Sequence, residues 1–192
     1  MKHTTILIGI LAAILMVGCQ GKRPTVIALK VEMQENPQGI ATLHPRFSWQ
    51  ITSNEPDLVQ QSYRIQVAQT QEDLAKEQNL LWDSGDVNSD QSILIPYEGS
   101  ALRSKGIYYW RVRVNTNQGA GKWSEPQFWT MALLNDGEWQ AQWIGEDSLS
   151  NPNETAEGNT RLAARYLRKS FSTNDSKVKR ATLYISGLGM YE

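Results

Sequence analysis

The sequence has little of what metal centres, disulfide frameworks and nucleic-acid interfaces require. Cysteine occurs once among 192 residues, so no intramolecular disulfide can form and the fold must be stabilised by packing. Histidine occurs twice, as His3 in an apolar leader and as His44 before a proline, where a solvated turn is expected rather than a metal ligand. The formal net charge of −1 favours neither nucleic acid nor an acidic partner. We therefore expect no metal, no cofactor and no nucleic-acid partner.

Catalytic patterns are equally scarce. The sequence contains no glycine-rich phosphate loop and no nucleophile elbow. Its acidic residues are scattered over turns, such as Asp83, Asp86 and Asp136. We therefore assign no catalytic residue within the chain.

Long apolar runs are limited to the amino terminus, where residues 1–19 have the pattern of an export signal. The apolar run of 6–17 is too short to cross a bilayer and has the length of a signal-peptide core. Residues 16–19 (Met-Val-Gly-Cys) resemble a bacterial lipobox, which implies cleavage before Cys19 and lipidation of that cysteine. The alternative is an ordinary secretory signal with an incidental cysteine. With lipidation, residues 20–24 form a tether, and the exported protein is anchored on the periplasmic or cell-surface face of a bacterial outer membrane.

What the sequence does contain is tryptophan and tyrosine, seven of each, within strand-like alternation. Apolar and polar side chains alternate along 108–115, which gives a strand one buried and one solvated face. The glycine-containing run 117–121 turns the chain, and 123–130 returns as the partner strand. Such a hairpin cannot bury its apolar face alone, so further strands must pack against it.

Five further strands are predicted upstream, with a short helix between them. The strands lie at 26–31, 46–51, 63–67, 80–82 and 92–96, and the helix covers 71–78. Pro96 places its strand at a sheet edge. Seven strands predict an all-β sandwich over residues 25–131. Its core is expected to hold Trp49, Tyr63, Ile65, Tyr108, Trp110 and Val112.

Three local features make this region resemble a fibronectin type III module, an Ig-like sandwich. Trp49 lies on the second strand, where that family has its core tryptophan. Leu102 precedes Tyr108 by the spacing of a tyrosine corner, which implies a bond between the Tyr108 hydroxyl and nearby backbone. Residues 123–126 (Trp-Ser-Glu-Pro) open the last strand as in many such modules. The module by itself indicates only a binding or spacing unit.

Several blocks read together are similar to the amino-terminal region of bacterial α-L-rhamnosidases of glycoside hydrolase family 78. They are residues 45–49, 61–67, 81–87, 108–114, 139–145 and 180–192. The resemblance implies a full-length enzyme that hydrolyses terminal α-L-rhamnose from glycans or glycosides with inversion. It also implies that the two carboxylates needed for this chemistry lie in a downstream (α/α)6 barrel, so that none falls on this chain.

The region after the sandwich is predicted to begin a second domain. Residues 132–138 are expected to be a linker, and 139–192 the start of a jelly-roll-like β-sandwich with strands at 164–171 and around Leu183 and Ile185. These strands are too few to close such a sandwich. We therefore interpret the chain as a fragment or early-terminated product of a longer enzyme.

Two functions follow from these observations. The first is the non-catalytic leading part of a lipid-anchored rhamnosidase, whose partners are the membrane, through the lipid, and rhamnose-containing glycans, through the full-length enzyme. The second is a stand-alone surface carbohydrate-binding or adhesion lipoprotein that stacks aromatic side chains on glycans. The candidates for stacking are Trp82, Tyr109, Trp139 and Trp143. A helix-rich continuation with paired carboxylates would favour the first function.

Overall fold

The computed structural model describes residues 24–54, 56–144, 167–173 and 177–187. Within these ranges it has nine strands and one α-helix. The strands are β1 (Thr25–Val31), β2 (Arg46–Thr52), β3 (Gln60–Ala68), β4 (Trp82–Asp83), β5 (Val87–Asn88), β6 (Ile95–Pro96), β7 (Ile107–Thr116), β8 (Gly119–Ala120) and β9 (Gln127–Thr130). The helix α1 covers Gln71–Lys76, and a 3-10 turn covers Asp136–Glu138.

The strands form two antiparallel sheets. β1, β2 and β6 make the smaller sheet in that order, and β6 lies at its edge as Pro96 predicted. In the larger sheet β3 pairs with β7 along the register from Gln60↔Thr116 to Ala68↔Tyr109. β4 and β5 pair with β3, whereas β8 and β9 pair with β7. The predicted all-β sandwich is therefore present, with the central pair β3 and β7 as its longest ladder.

The core between the two sheets is aromatic. Phe47 of the smaller sheet lies 4.5 Å from Trp110 of the larger one, measured between ring centroids, and Trp49 lies 5.2 Å from Tyr63. Edge-to-face and tilted pairs of this kind add to the free energy gained by burying the rings. All six residues predicted for the core are buried, which confirms the predicted strand faces: Trp49, Tyr63, Ile65, Tyr108, Trp110 and Val112.

The predicted last strand, 123–130, is regular only over β9. The Gly121 N–H donates to Val114 O at 2.8 Å and the Ser124 N–H donates to Val112 O at 2.9 Å. Between these two bonds the segment advances by three residues while β7 advances by two, so the segment contains one extra residue, as in a β-bulge. Pro126 then has no N–H to add to the ladder. The prediction of a continuous strand from Trp123 was therefore wrong.

The short helix confirms the prediction at 71–78 except for its last two residues. Thr70 caps the amino terminus, since its hydroxyl accepts from the Asp73 N–H at 3.0 Å. The helix ends at Lys76 because Glu77 adopts a left-handed conformation with φ of 53°. Leu74 is fully buried beneath the helix, so α1 covers part of the larger sheet.

The chain divides into two units, residues 1–140 and residues 141–192. The described residues of the second unit form no strand, and large apolar side chains are exposed there, such as Phe171 (83%) and Leu183 (79%). The strands predicted at 164–171 and around Leu183 and Ile185 are therefore absent from their described parts. Extended segments without a hydrogen-bonded partner are not stable strands. The predicted domain boundaries remain predictions.

Candidate functional surface

The outer face of the larger sheet has three guanidinium groups, each held by a carboxylate. Arg64 binds Asp83 with two bonds of 2.8 and 2.7 Å. The other two pairs are Arg111–Glu77 at 2.9 Å and Arg113–Asp86 at 3.3 Å. The alternation of β3 and β7 places these arginines opposite the core face, and the register sets Arg64 directly across from Arg113. The carboxylates offset the repulsion between these like charges.

Gln66 connects two of these pairs in the buried part of the network. Its side-chain oxygen accepts from Arg111 Nε and Nη2 at 3.0 and 2.7 Å, and its Nε2 donates to Asp83 Oδ2 at 2.9 Å. Desolvation lowers the pKa of Arg111, and the adjacent Glu77 carboxylate opposes that shift. A buried polar network is stabilising only when its donors and acceptors are paired, and here the amide of Gln66 provides the pairing.

Asp83, the carboxylate with the most hydrogen bonds in this network, is unsuited to acid catalysis. Hydrogen bonds from Arg64 lower the pKa of Asp83 to about 2, further helped by Gln66 and by the Gly85 N–H. A glycosidase needs a general acid whose pKa is raised, which is the opposite shift. Glu77 and Asp86 are likewise committed to guanidinium partners. Within the described ranges there is also no cluster of three or more His, Cys, Asp or Glu side chains that could hold a metal ion.

Trp123 was assigned by sequence reasoning only to the last strand, yet it has a specific place in this surface. Its ring lies 4.3 Å from the Arg111 guanidinium carbon and 5.1 Å from that of Arg113. Such cation–π contacts hold the irregular segment onto β7 where the backbone ladder is interrupted. The sequence signal for this contact was a pair of arginines two residues apart on one face of a strand, followed along the chain by a Trp-Ser dipeptide.

The structure places the predicted stacking residues in different surroundings. Trp82 packs on the core face, 6.0 Å from Phe47 between ring centroids, whereas Tyr109 lies on the outer face, 6.2 Å from Phe128. Trp139 is 42% exposed just after the 3-10 turn. Trp143 is 69% exposed and belongs to the second unit.

Two further predictions about single residues are confirmed, and one cannot be examined. The Tyr108 hydroxyl accepts from the Arg103 N–H at 2.8 Å, which is the predicted tyrosine corner. His44 lies exposed in a bend, and its Nδ1 is 3.1 Å from the Tyr97 carbonyl oxygen. Cys19, the predicted lipidation site, lies outside the described residues. In the described part of the chain, no helix has the length and hydropathy of a membrane span.

Comparison with known proteins agrees with this geometry. Residues 26–135 match the family model described as "Rha78A-like, N-terminal immunoglobulin domain". The chain belongs to this family. The match covers the sandwich and confirms its Ig-like class, because it includes both sheets and the tyrosine corner.

Curated and solved relatives extend the comparison beyond the sandwich. An alpha-L-rhamnosidase of Formosa agariphila is 32% identical to this chain, and the alignment covers all of this chain and 22% of the relative. An alpha-L-rhamnosidase of Streptomyces avermitilis is also 32% identical, and the alignment covers 86% of this chain and 17% of the relative. The crystal structure of the Streptomyces avermitilis enzyme complexed with L-rhamnose superposes with a TM-score of 0.60 at 37% identity, covering 64% of this chain and 12% of that one. An alpha-L-rhamnosidase from Dictyoglumus thermophilum gives 0.62 at 28% identity, covering 67% and 15%. The chain thus spans about a fifth of the length of the curated relatives it matches.

Proposed function

We propose that this chain is the leading, non-catalytic region of a secreted, lipid-anchored α-L-rhamnosidase. The observation that carries the proposal is that the entire chain aligns, at 32% identity, with 22% of the length of a relative named alpha-L-rhamnosidase. The role of this domain is then to hold the sugar-cleaving region at a distance from the membrane. Terminal α-L-rhamnose on glycans or glycosides is the substrate of the whole protein, released with inversion by carboxylates in the region of the relatives that this chain does not span.

The polar chemistry of the sandwich supports a non-catalytic role. The acidic groups of its outer face neutralise guanidiniums, and Asp83 stays ionised at any pH above about 2. An inverting glycosidase needs one protonated and one ionised carboxyl group on opposite sides of the sugar. The lowered pKa of Asp83 suits it to neither the protonated role nor a change of protonation near neutral pH.

A domain replacement in the Streptomyces avermitilis relative tests the proposal. The segment of that enzyme aligned with this chain is exchanged for residues 24–192, and turnover of p-nitrophenyl α-L-rhamnoside is measured. We expect the chimera to retain activity and a deletion of the segment to lose it. A chimera with Trp110→Asp, which puts a charge into the core, is the matched control and should behave like the deletion.

Two results would contradict the proposal. One is release of nitrophenol by the isolated 192-residue chain above the buffer rate, since that would place catalysis within it. The other is a folded chimera without activity alongside an active deletion variant, because the segment would then not be interchangeable with the leading region of a rhamnosidase.

We further propose that Cys19 anchors the protein in a membrane, on the periplasmic or cell-surface face of a bacterial outer membrane. Support comes from the short apolar run and the small residue before the cysteine. Since one acyl chain gives only marginal binding, stable anchoring requires more than one chain at this residue. Mass spectrometry of the mature amino terminus tests this: a lipid-modified Cys19 is expected, and an unmodified start at another residue would refute it. Cys19→Ser should release the protein from membranes or leave it uncleaved.

A second candidate function, carbohydrate binding by the chain itself, is favoured by one observation. Trp139 and Trp143 present large exposed indole surfaces, whereas Trp82 and Tyr109 already pack against aromatic neighbours. We propose that any glycan stacking falls to the two exposed tryptophans. Calorimetric titration with rhamnose-containing oligosaccharides should then show binding that Trp139→Ala or Trp143→Ala weakens and that Tyr109→Ala leaves unchanged. Equal binding by all variants would reject these residues as the site.

A further inference from the structure

The polypeptide leaves the sandwich beside the loop that contains the tyrosine corner. The Met131 N–H donates to Gly106 O at 2.9 Å, and the Lys105 N–H donates to Ala132 O at 3.1 Å. Residues 131 and 132 are therefore bonded to loop 102–106 in both directions. The exit segment 132–138, which the sequence predicted to be a linker, begins as part of the sandwich.

One carboxylate oxygen accepts hydrogen bonds from the exit segment and from loop 102–106. Glu138 Oε2 accepts from the Ser104 hydroxyl, from the Leu134 and Asn135 N–H groups at 3.1 and 3.0 Å, and from the Asn135 side-chain amide at 3.1 Å. The Ser104 hydroxyl also accepts from the Leu134 N–H at 2.9 Å. An ionised carboxylate is the strongest acceptor available for such a set of donors. These bonds lower the pKa of Glu138, that from Ser104 most of all.

Both sides of this contact are fixed by the core. Ser104 follows Arg103, whose N–H is bound by the Tyr108 hydroxyl, and Tyr108 is only 1% exposed. On the other side Leu134 packs against the hydrophobic core. The tyrosine corner thus positions Ser104, and the core positions the first residues that Glu138 binds.

We propose that Ser104 and Glu138 form a clasp that holds the exit segment 132–138 on the sandwich and fixes the direction in which the polypeptide leaves it. Without the clasp, the segment has a three-residue 3-10 turn as its only regular structure, and such a turn is too short to be rigid by itself. The clasp makes it a rigid extension of the domain. The inference concerns the conformation of the exit segment and holds whatever reaction the whole protein performs.

Amide hydrogen exchange of the full 192-residue chain, resolved by NMR, tests the clasp. Glu138→Ala and Ser104→Ala should each raise the exchange rates of the Leu134 and Asn135 amides by about tenfold or more, the range expected when a hydrogen bond to a charged group is lost. Amides in the middle of β7 should keep their rates. Glu138→Gln, which retains one carbonyl acceptor without the charge, should give a smaller increase.

Glu125→Ala is the matched control, because Glu125 is an exposed glutamate that lies beside β1, whereas Glu138 lies beside loop 102–106. It should leave exchange at Leu134 and Asn135 unchanged. Two results would overturn the proposal: unaltered exchange of these amides in both clasp variants, or an equal increase in β7, which would indicate general destabilisation rather than release of the exit segment.

Discussion

Two core tryptophans offer a matched pair of substitutions, Trp49→Phe and Trp110→Phe. Both side chains are almost completely buried, at 2% and 0% exposure, and both lose the same atoms. They differ in their indole N–H groups. Trp49 Nε1 donates to Gln60 Oε1 at 3.0 Å, whereas Trp110 Nε1 has no acceptor among the described residues. The cavity contribution therefore cancels to first order, and the hydrogen bond remains as the difference.

The expected magnitude follows from the surroundings of Gln60. Its Nε2 donates to the carbonyl oxygens of Ser89 and Gln91 at 3.1 and 2.9 Å, so the amide cannot turn to give its oxygen a new partner. Leaving a buried acceptor unsatisfied costs about 1–3 kcal/mol. Trp110→Phe instead removes a buried donor that is already unpaired, which is favourable by itself. We expect Trp49→Phe to lose about 2 kcal/mol more unfolding free energy than Trp110→Phe.

Urea unfolding of the 192-residue chain, followed by far-ultraviolet circular dichroism, measures this difference without relying on the mutated fluorophores. The urea dependence of the unfolding free energy should be unchanged, so that the midpoints report stability directly. Trp129→Phe should fall between the two, because Trp129 Nε1 lies 3.3 Å from the Met131 sulfur, a weak acceptor. Losses at positions 49 and 110 that agree within about 0.5 kcal/mol, the tolerance within which independent effects add, would refute the reasoning, as would a larger loss at 110.

Further predictions concern the tyrosine corner, one glycine and the ion pairs. Tyr108→Phe should cost about 1–2 kcal/mol of unfolding free energy, since it deprives a backbone N–H of its acceptor; an unchanged melting temperature would contradict this. Gly99→Ala should lower the melting temperature because the new methyl group would lie 2.6 Å from a backbone carbonyl oxygen, whereas Gly137→Ala, with open space around it, should not. Because Arg64 lowers the pKa of Asp83 from 3.8 to about 2, the stabilisation is complete above pH 4 and is lost as the pH falls through 2. It amounts to about 1 kcal/mol after solvent screening, and Asp83→Asn should remove this part of the pH dependence of unfolding.

The strand faces could be predicted because they depend on short-range alternation. A period of two along 108–115 assigns Trp110 and Val112 to the same side whatever the partner strand is. The tyrosine corner is equally local, since Leu102 and Tyr108 lie at the two ends of one loop. Predictions of this kind succeed because the pattern and its structural consequence lie within one element or one turn.

The bulge and the clasp could not be predicted for the opposite reason. The bulge between Gly121 and Ser124 depends on how the residues before β9 pair with β7. This register is set by the pairing of the two strands and not by the local sequence. Ser104 and Glu138 are 34 residues apart and meet only because the sandwich brings its loop and its exit segment together. The contact between Glu138 and the Asn135 N–H has the local spacing of a capping box, but no local pattern links either residue to Ser104.

The aromatic residues show why a stacking site is hard to infer from sequence. Trp82 follows two leucines and precedes a polar turn, and Trp139 stands among polar and small residues, but neither local sequence shows whether the ring packs against the protein. The structure separates them through distant residues: Phe47 and Tyr97 pack against Trp82, at 6.0 and 5.4 Å between ring centroids, whereas Trp139 is 42% exposed. A ring that already stacks within the protein has less surface to offer a sugar, so exposure decides which tryptophan can act as a platform. For this chain, a search for glycan contacts should therefore begin where the polypeptide leaves the sandwich, at Trp139, and not on its strands.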